Sequence, residues 1–120
     1  MFLNEEHKNK YNILKKKCDC YNHSELNALL YVIAGNESLY SKRSSIYNFS
    51  ENRLKLKFND EGEPNLSGLY LSSSANALLN LGIQMYNGSS SQNVFETFCY
   101  LDEDNSKLAI NCIKMRFNIE

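Results

Sequence analysis

From Lys107 to Asn118 the regular polar stripe is only Lys107, Asn111, Lys114 and Asn118, at steps of four, three and four. The rest of that stretch (Leu108, Ala109, Ile110, Cys112, Ile113, Met115, Phe117) is apolar apart from Arg116. A helix apolar over most of its surface is stable in water only when other elements surround it. The pattern therefore predicts a small helical domain with its C-terminal helix as the central rod.

The chain has 120 residues, enough for one domain that hides about two-thirds of its extended surface. Its apolar fraction of 42% and charged fraction of 22% are ordinary globular values. A formal net charge of −1 supplies no global field to attract nucleic acid or an anionic membrane. No apolar run approaches the ~20 residues of a membrane span. Residues 1–17 are charged throughout and lack the apolar core of a signal peptide. A cytoplasmic protein whose four cysteines are thiols is expected. Asparagine and serine are unusually frequent, and asparagine, lysine, isoleucine and tyrosine have AT-rich codons, as expected of an AT-rich bacterial genome or its phage.

Helix ends are marked by caps. Asn4 followed by Glu5 and Glu6 opens a first helix, and Lys15, Lys16 and Lys17 suit its last turn near Cys18. Tyr11, Leu14 and Cys18 fall on its inner face. Ser24 opens a second helix, with Leu26, Leu29, Leu30, Ile33 and Ala34 as the buried stripe. Gly35 is expected to take the left-handed position that ends it, and Asn36 to cap a third helix carrying Leu39, Tyr40, Arg43, Ile46 and Tyr47. Arg53, Lys55 and Lys57 alternate with Leu54, Leu56 and Phe58, the period of a strand, with Leu69 to Leu71 as its return partner and a loop around Gly62 and Pro64 between. The serines Ser72, Ser73 and Ser74 open a further helix that Asn87-Gly88 closes. Val94, Phe95, Phe98 and Cys99 are expected to pack inward from a short helix, and Asp102 caps the terminal one.

Few motifs carry chemistry. Cys18-x-Cys20-x-x-His23 groups metal-ligand types, but zinc needs a fourth ligand and the paired Cys-x-x-Cys spacing is missing, so no metal is expected. Asp102, Asp104 and Ser106 begin like a calcium loop, yet the required glycine is absent and Ile113 stands in the place of the bidentate glutamate. Ser72, Ser73 and Ser74 at a helix start form an anion-binding candidate, with capping as their simpler role. The basic row Arg53, Lys55 and Lys57 suits an edge strand kept soluble by charge better than a nucleic-acid contact. A Ser-His-Asp or Cys-His arrangement has no local signature such as G-x-S-x-G, and no catalytic residue or cofactor is assigned. Arg43 between Tyr40 and Tyr47, on a helix opened by Asn36 and Glu37, forms the candidate partner-binding set, because arginine and tyrosine dominate interface energetics.

Three stretches resemble an uncharacterised family of short proteins from low-GC Gram-positive bacteria, their phages and mobile elements. They are residues 34–40 (AGNESLY), residues 72–88 with Ala77-Leu78-Leu79 and Tyr86-Asn87-Gly88, and residues 101–117 with Ile113-Lys114 and Arg116-Phe117. Asn59 to Leu71 matches nothing in that pattern. The resemblance implies no activity. It implies accessory genes of mobile elements, whose small acidic products act by stoichiometric binding to a host protein, inhibitors of CRISPR and other defence systems among them.

The sequence thus predicts a mainly α single domain over residues 1–120, with five to six helices, a central C-terminal helix and a small β-hairpin insertion. It predicts a protein-binding module without catalysis, meeting a host or phage protein and no membrane. A small nucleic-acid-binding regulator is the first alternative, and a hydrolase of unknown substrate the second.

Overall fold

A computed structural model describes residues 1–18 and 23–120. Helix α1 spans Glu5–Cys18 and α2 Ser24–Gly35; two short helices, α3 (Glu37–Ser41) and α4 (Arg43–Ile46), follow. After an irregular β region come α5 (Ser73–Asn87), the five-residue α6 (Val94–Phe98) and α7 (Glu103–Phe117). The fold is mainly helical with a small β element, as the sequence predicts. Among the described residues no helix is long and apolar enough to cross a membrane.

The helix at the centre is α2, not the C-terminal one. Every residue from Leu26 to Ala34 is buried, Asn27 included. Helices α1, α5 and α7 pack around α2. In α7 only Leu108, Ala109 and Cys112 are buried, while Ile110 and Phe117 are 46% and 55% exposed. The reason lies in side-chain size. Helix α2 offers Ala28, Ala34 and Gly35 among its larger residues, so neighbours approach closely from several sides, whereas α7 keeps long side chains on its outer face.

Gly35 shows this directly. It ends α2 without a left-handed turn, and the following Asn36 is extended (φ −124°). A Cβ on Gly35 would collide with Leu108 of α7 and lie 2.9 Å from His7 Nε2 of α1. The residue is small because three helices meet there. A Cβ on Gly82 would stand 3.1 Å from Leu29 Cδ1 across the α2–α5 contact, so its small size lets those two helices come close.

Ser24, expected to cap α2, is instead its first helical residue, and the N-cap position is His23, with no side-chain cap bond. Other caps behave as the sequence predicts. Asn36, Ser72 and Asp102 accept from the backbone N–H of Leu39, Ala75 and Asn105, and Gly88 closes α5 at φ 72°. The expected third helix is broken at Lys42, whose ammonium turns away to the carbonyls of Leu69 and Tyr70, 3.3 Å in the latter case. The single hairpin is replaced by two short antiparallel ladders. Strand β1 (Tyr47–Asn48) pairs with β2 (Arg53–Leu54), and β3 (Lys57–Phe58) with β4 (Pro64–Asn65). The return partner is therefore Pro64–Asn65, and Ser67–Leu69 forms a 3-10 turn instead. Asparagine side chains set both turns: Asn48 Oδ1 accepts from the N–H of Ser50 and Glu51, and Asn59 Oδ1 from those of Glu61 and Glu63.

Candidate functional site

The predicted partner set is divided by the fold. Asn36 is the α3 cap and reaches Asn105 Oδ1 at 3.4 Å, and Glu37 is exposed beside it. The Arg43 guanidinium lies 4.3 Å from the centre of the Tyr40 ring, its Nη1 donates to Tyr40 O at 2.9 Å, and Lys10 Nζ approaches the same ring at 4.9 Å. Both groups are half-buried, so the stack ties α4 to α3 and α1. Tyr47 is a correction. It does not extend a helix but opens β1, is 1% exposed, and meets the rings of Phe49 and Tyr86 edge-on. Helical spacing placed it beside Arg43; the break at Lys42 and the turn into a strand send it into the core.

His7 is fully engaged. Its Nδ1 accepts from the N–H of Leu3 at 3.1 Å, and Nε2 donates to Tyr31 O at 2.9 Å, which fixes a neutral tautomer between the rings of Phe2 and Tyr31. Burial pushes its pKa below the ordinary histidine value. Neither ring nitrogen is left for a substrate. Cys18 is buried, His23 is exposed, and Cys20 lies outside the described residues. Among the described residues no three His, Cys, Asp or Glu side chains converge.

Of the serine run, Ser72 caps α5 and its Oγ lies 3.3 Å from that of Ser74. Ser72 and Ser73 line a groove of 470 Å³ with Phe95, Glu96, Cys99 and Tyr100 of the α6 region. Glu96 lines the same groove, and its carboxylate accepts from the N–H of Asn93.

The groove wall is what sequence reasoning missed. Val94 and Phe95 were expected to pack inward, yet each is 77% exposed, with Tyr100 at 67% and Tyr70, just before α5, at 87%. Cys99 is exposed too. Polar clamps explain this. Gln92 Nε2 donates to Ala77 O and Thr97 Oγ1, both at 3.0 Å, and Thr97 Oγ1 donates to Asn93 O. Gln84 Nε2 holds the carbonyls of Ser90 and Gln92 from α5, and Ser90 Oγ donates to Asn80. Asn93 and Glu96 close a capping box. These bonds turn Thr97 inward and leave Phe98 half-buried, so the first turn of α6 presents Val94 and Phe95 to solvent. The Asn93-x-x-Glu96 pattern was the available signal: it places Val94 and Phe95 in the first turn of a helix too short to bury more than one side.

A family model described as a family of unknown function (DUF6075) matches residues 1–120. No curated protein and no solved structure matches the chain.

Proposed function

We propose that this chain, which belongs to the DUF6075 family of unknown function, acts by stoichiometric binding to another protein through the shelf of Tyr70, Val94, Phe95 and Tyr100. The observation that carries the reading is the exposure of Phe95 and Tyr100 along one groove, with exposed Val94 next to Phe95 in the chain and exposed Tyr70 next to Leu71, another lining residue. Single exposed apolar residues are commonplace, but aromatic groups gathered at a concave surface are the usual anchors of protein interfaces. The shelf rests on a polar-clamped linker and a capped helix, so little order has to be gained on binding. The Tyr40–Arg43 stack is the secondary contact surface of this reading.

Affinity capture with tagged protein tests it. Wild type retains a polypeptide at one-to-one stoichiometry. The double variant Phe95→Ala, Tyr100→Ala weakens that binding at least tenfold, about 1.4 kcal/mol, while its melting curve stays near wild type. Arg43→Ala has a smaller effect. Capture unchanged by the double variant, or retention of nucleic acid with no polypeptide, overturns the reading.

Inhibition of a host antiviral defence system is the sharpest form of this proposal. Its support is the resemblance to accessory proteins of phages and mobile elements in low-GC Gram-positive bacteria. Phage plating on a defence-positive host expressing the protein tests it; plating restored by wild type and lost with the double variant is expected, and no restoration sinks this form.

A further inference from the structure

The net charge of −1 conceals a segregated chain. From Phe58 to Ser106 there is no lysine, arginine or histidine, while Asp60, Glu61, Glu63, Glu96 and the acidic run at 102–104 lie within that span. All thirteen lysines and arginines stand outside it. The span contains the whole shelf. Glu96 lines the groove, Asp102 follows Tyr100 after one residue, and Glu63 Oε1 accepts from the N–H of Ser91, which brings the β3–β4 turn against the linker into α6; no lysine, arginine or histidine among the described residues lines the groove. Of these carboxylates, Glu103 alone pairs with a cation among the described residues, Lys107 at 3.4 Å.

The aromatic rings repeat the asymmetry. Outside the span, the chain's own cations stand over its rings: Lys10 and Arg43 over Tyr40, Lys17 over Phe49, Arg116 over Phe117. The rings of Phe95 and Tyr100 lie in the stretch that holds no cation, and beside Tyr70 the Lys42 ammonium is bound to the carbonyls of Leu69 and Tyr70. Ring faces and carboxylates together attract lysine and arginine, and the groove between α5 and α6 has room for an apolar side chain.

We propose that the shelf receives a lysine- or arginine-rich segment of a partner protein, anchored by one apolar side chain in the groove beside Phe95 and Tyr100. This rests on the shelf being the docking surface and names the chemistry of its occupant. The acidic surround steers the segment in, and the rings hold its cations and its anchor.

The test uses the full chain and two labelled peptides of about twelve residues, followed by fluorescence anisotropy at about 50 and about 300 mM salt, either side of a Debye length of ~10 Å. One peptide carries lysines around a leucine and a phenylalanine; the other has glutamate at each lysine. The lysine peptide is expected to bind at least about tenfold tighter than the glutamate peptide. That affinity falls with salt. Either the Phe95→Ala, Tyr100→Ala pair or the charge-neutralising set Glu63→Gln, Glu96→Gln, Glu103→Gln abolishes most of it. The Glu96→Gln change keeps a capping-box side chain, so the second set tests charge on a folded chain. Equal binding of both peptides overturns the inference, and so does lysine-peptide binding that ignores the aromatic pair. If a captured partner is lost with the aromatic pair but survives the neutralising set, the shelf stands and the basic occupant falls. If no captured protein responds to either set, the shelf itself falls. Concentration-dependent self-association abolished by Phe95→Ala makes a second copy the occupant and overturns the proposal.

Discussion

Helices α2 and α6 are both written in apolar letters, and they have opposite fates. In α2, nine consecutive residues are buried and helices surround them. In α6, two of five residues bury or half-bury while Val94 and Phe95 stand in solvent. The difference is in what holds each element. Helix α2 is held by apolar contact on all sides, which small residues such as Ala28 and Gly35 make close. Helix α6 is held by Phe98 against the core and by hydrogen bonds involving Gln84, Gln92 and Asn93, which fix its orientation without using Val94 or Phe95. Hydrophobicity says that a residue gains from burial; it does not say that a neighbour is present to bury it.

The largest expected effect separates the two helices. Ile33→Ala in α2 should cost about 2–5 kcal/mol, through lost transfer energy and a cavity that packed neighbours cannot close. Val94→Ala in α6 should stay within about 0.5 kcal/mol. Urea unfolding of both variants measures the contrast, and equal losses would break it. A smaller effect is expected at the polar clamp. Gln92→Ala should cost about 1–2 kcal/mol by leaving Ala77 O and Thr97 Oγ1 without that donor. It should also increase amide exchange in α6 while leaving α2 protected; exchange rising equally in both would show that α6 has no separate anchorage.

The smallest effect concerns acid. His7 packs beside the end of α2, and its folded pKa lies below the unfolded value, so the unfolded chain binds the proton more readily. Stability is then fully present above the ordinary histidine pKa and is lost as pH falls below it towards the depressed one. Unfolding midpoints should drop between about pH 7.5 and pH 5, with a shallower slope in His7→Gln, whose amide can still donate to Tyr31 O. An unchanged slope in that variant would remove His7 from the account.

Much of the local structure was legible in the chain. The bounds of α1, the caps Asn36, Ser72 and Asp102 and the closing Gly88 follow from rules that act within a few residues. Leu39, Leu108 and Cys112 are buried where helical spacing puts them. Of the candidate site, Asn36 is the cap the sequence predicts, and Tyr47 leaves the helical face because the backbone departs from helical geometry at Lys42 (φ −106°, ψ 16°) and turns into a strand after Ile46. The shelf was unreadable as a shelf, since Phe95 has the same side chain whether it faces a core or a groove.

The sequence by itself determined where most helices begin, where α1 and α5 end, and that this is a mainly helical fold, because capping, turn chemistry and periodicity are local and are written in neighbouring residues. The tertiary structure alone decided which helix lies at the centre, why Gly35 is small and which aromatic groups face solvent. Those outcomes depend on which surfaces meet across the chain, as Leu108 meets Gly35 and Gln92 meets Ala77 O, and such long-range pairings decide burial where composition only sets its reward.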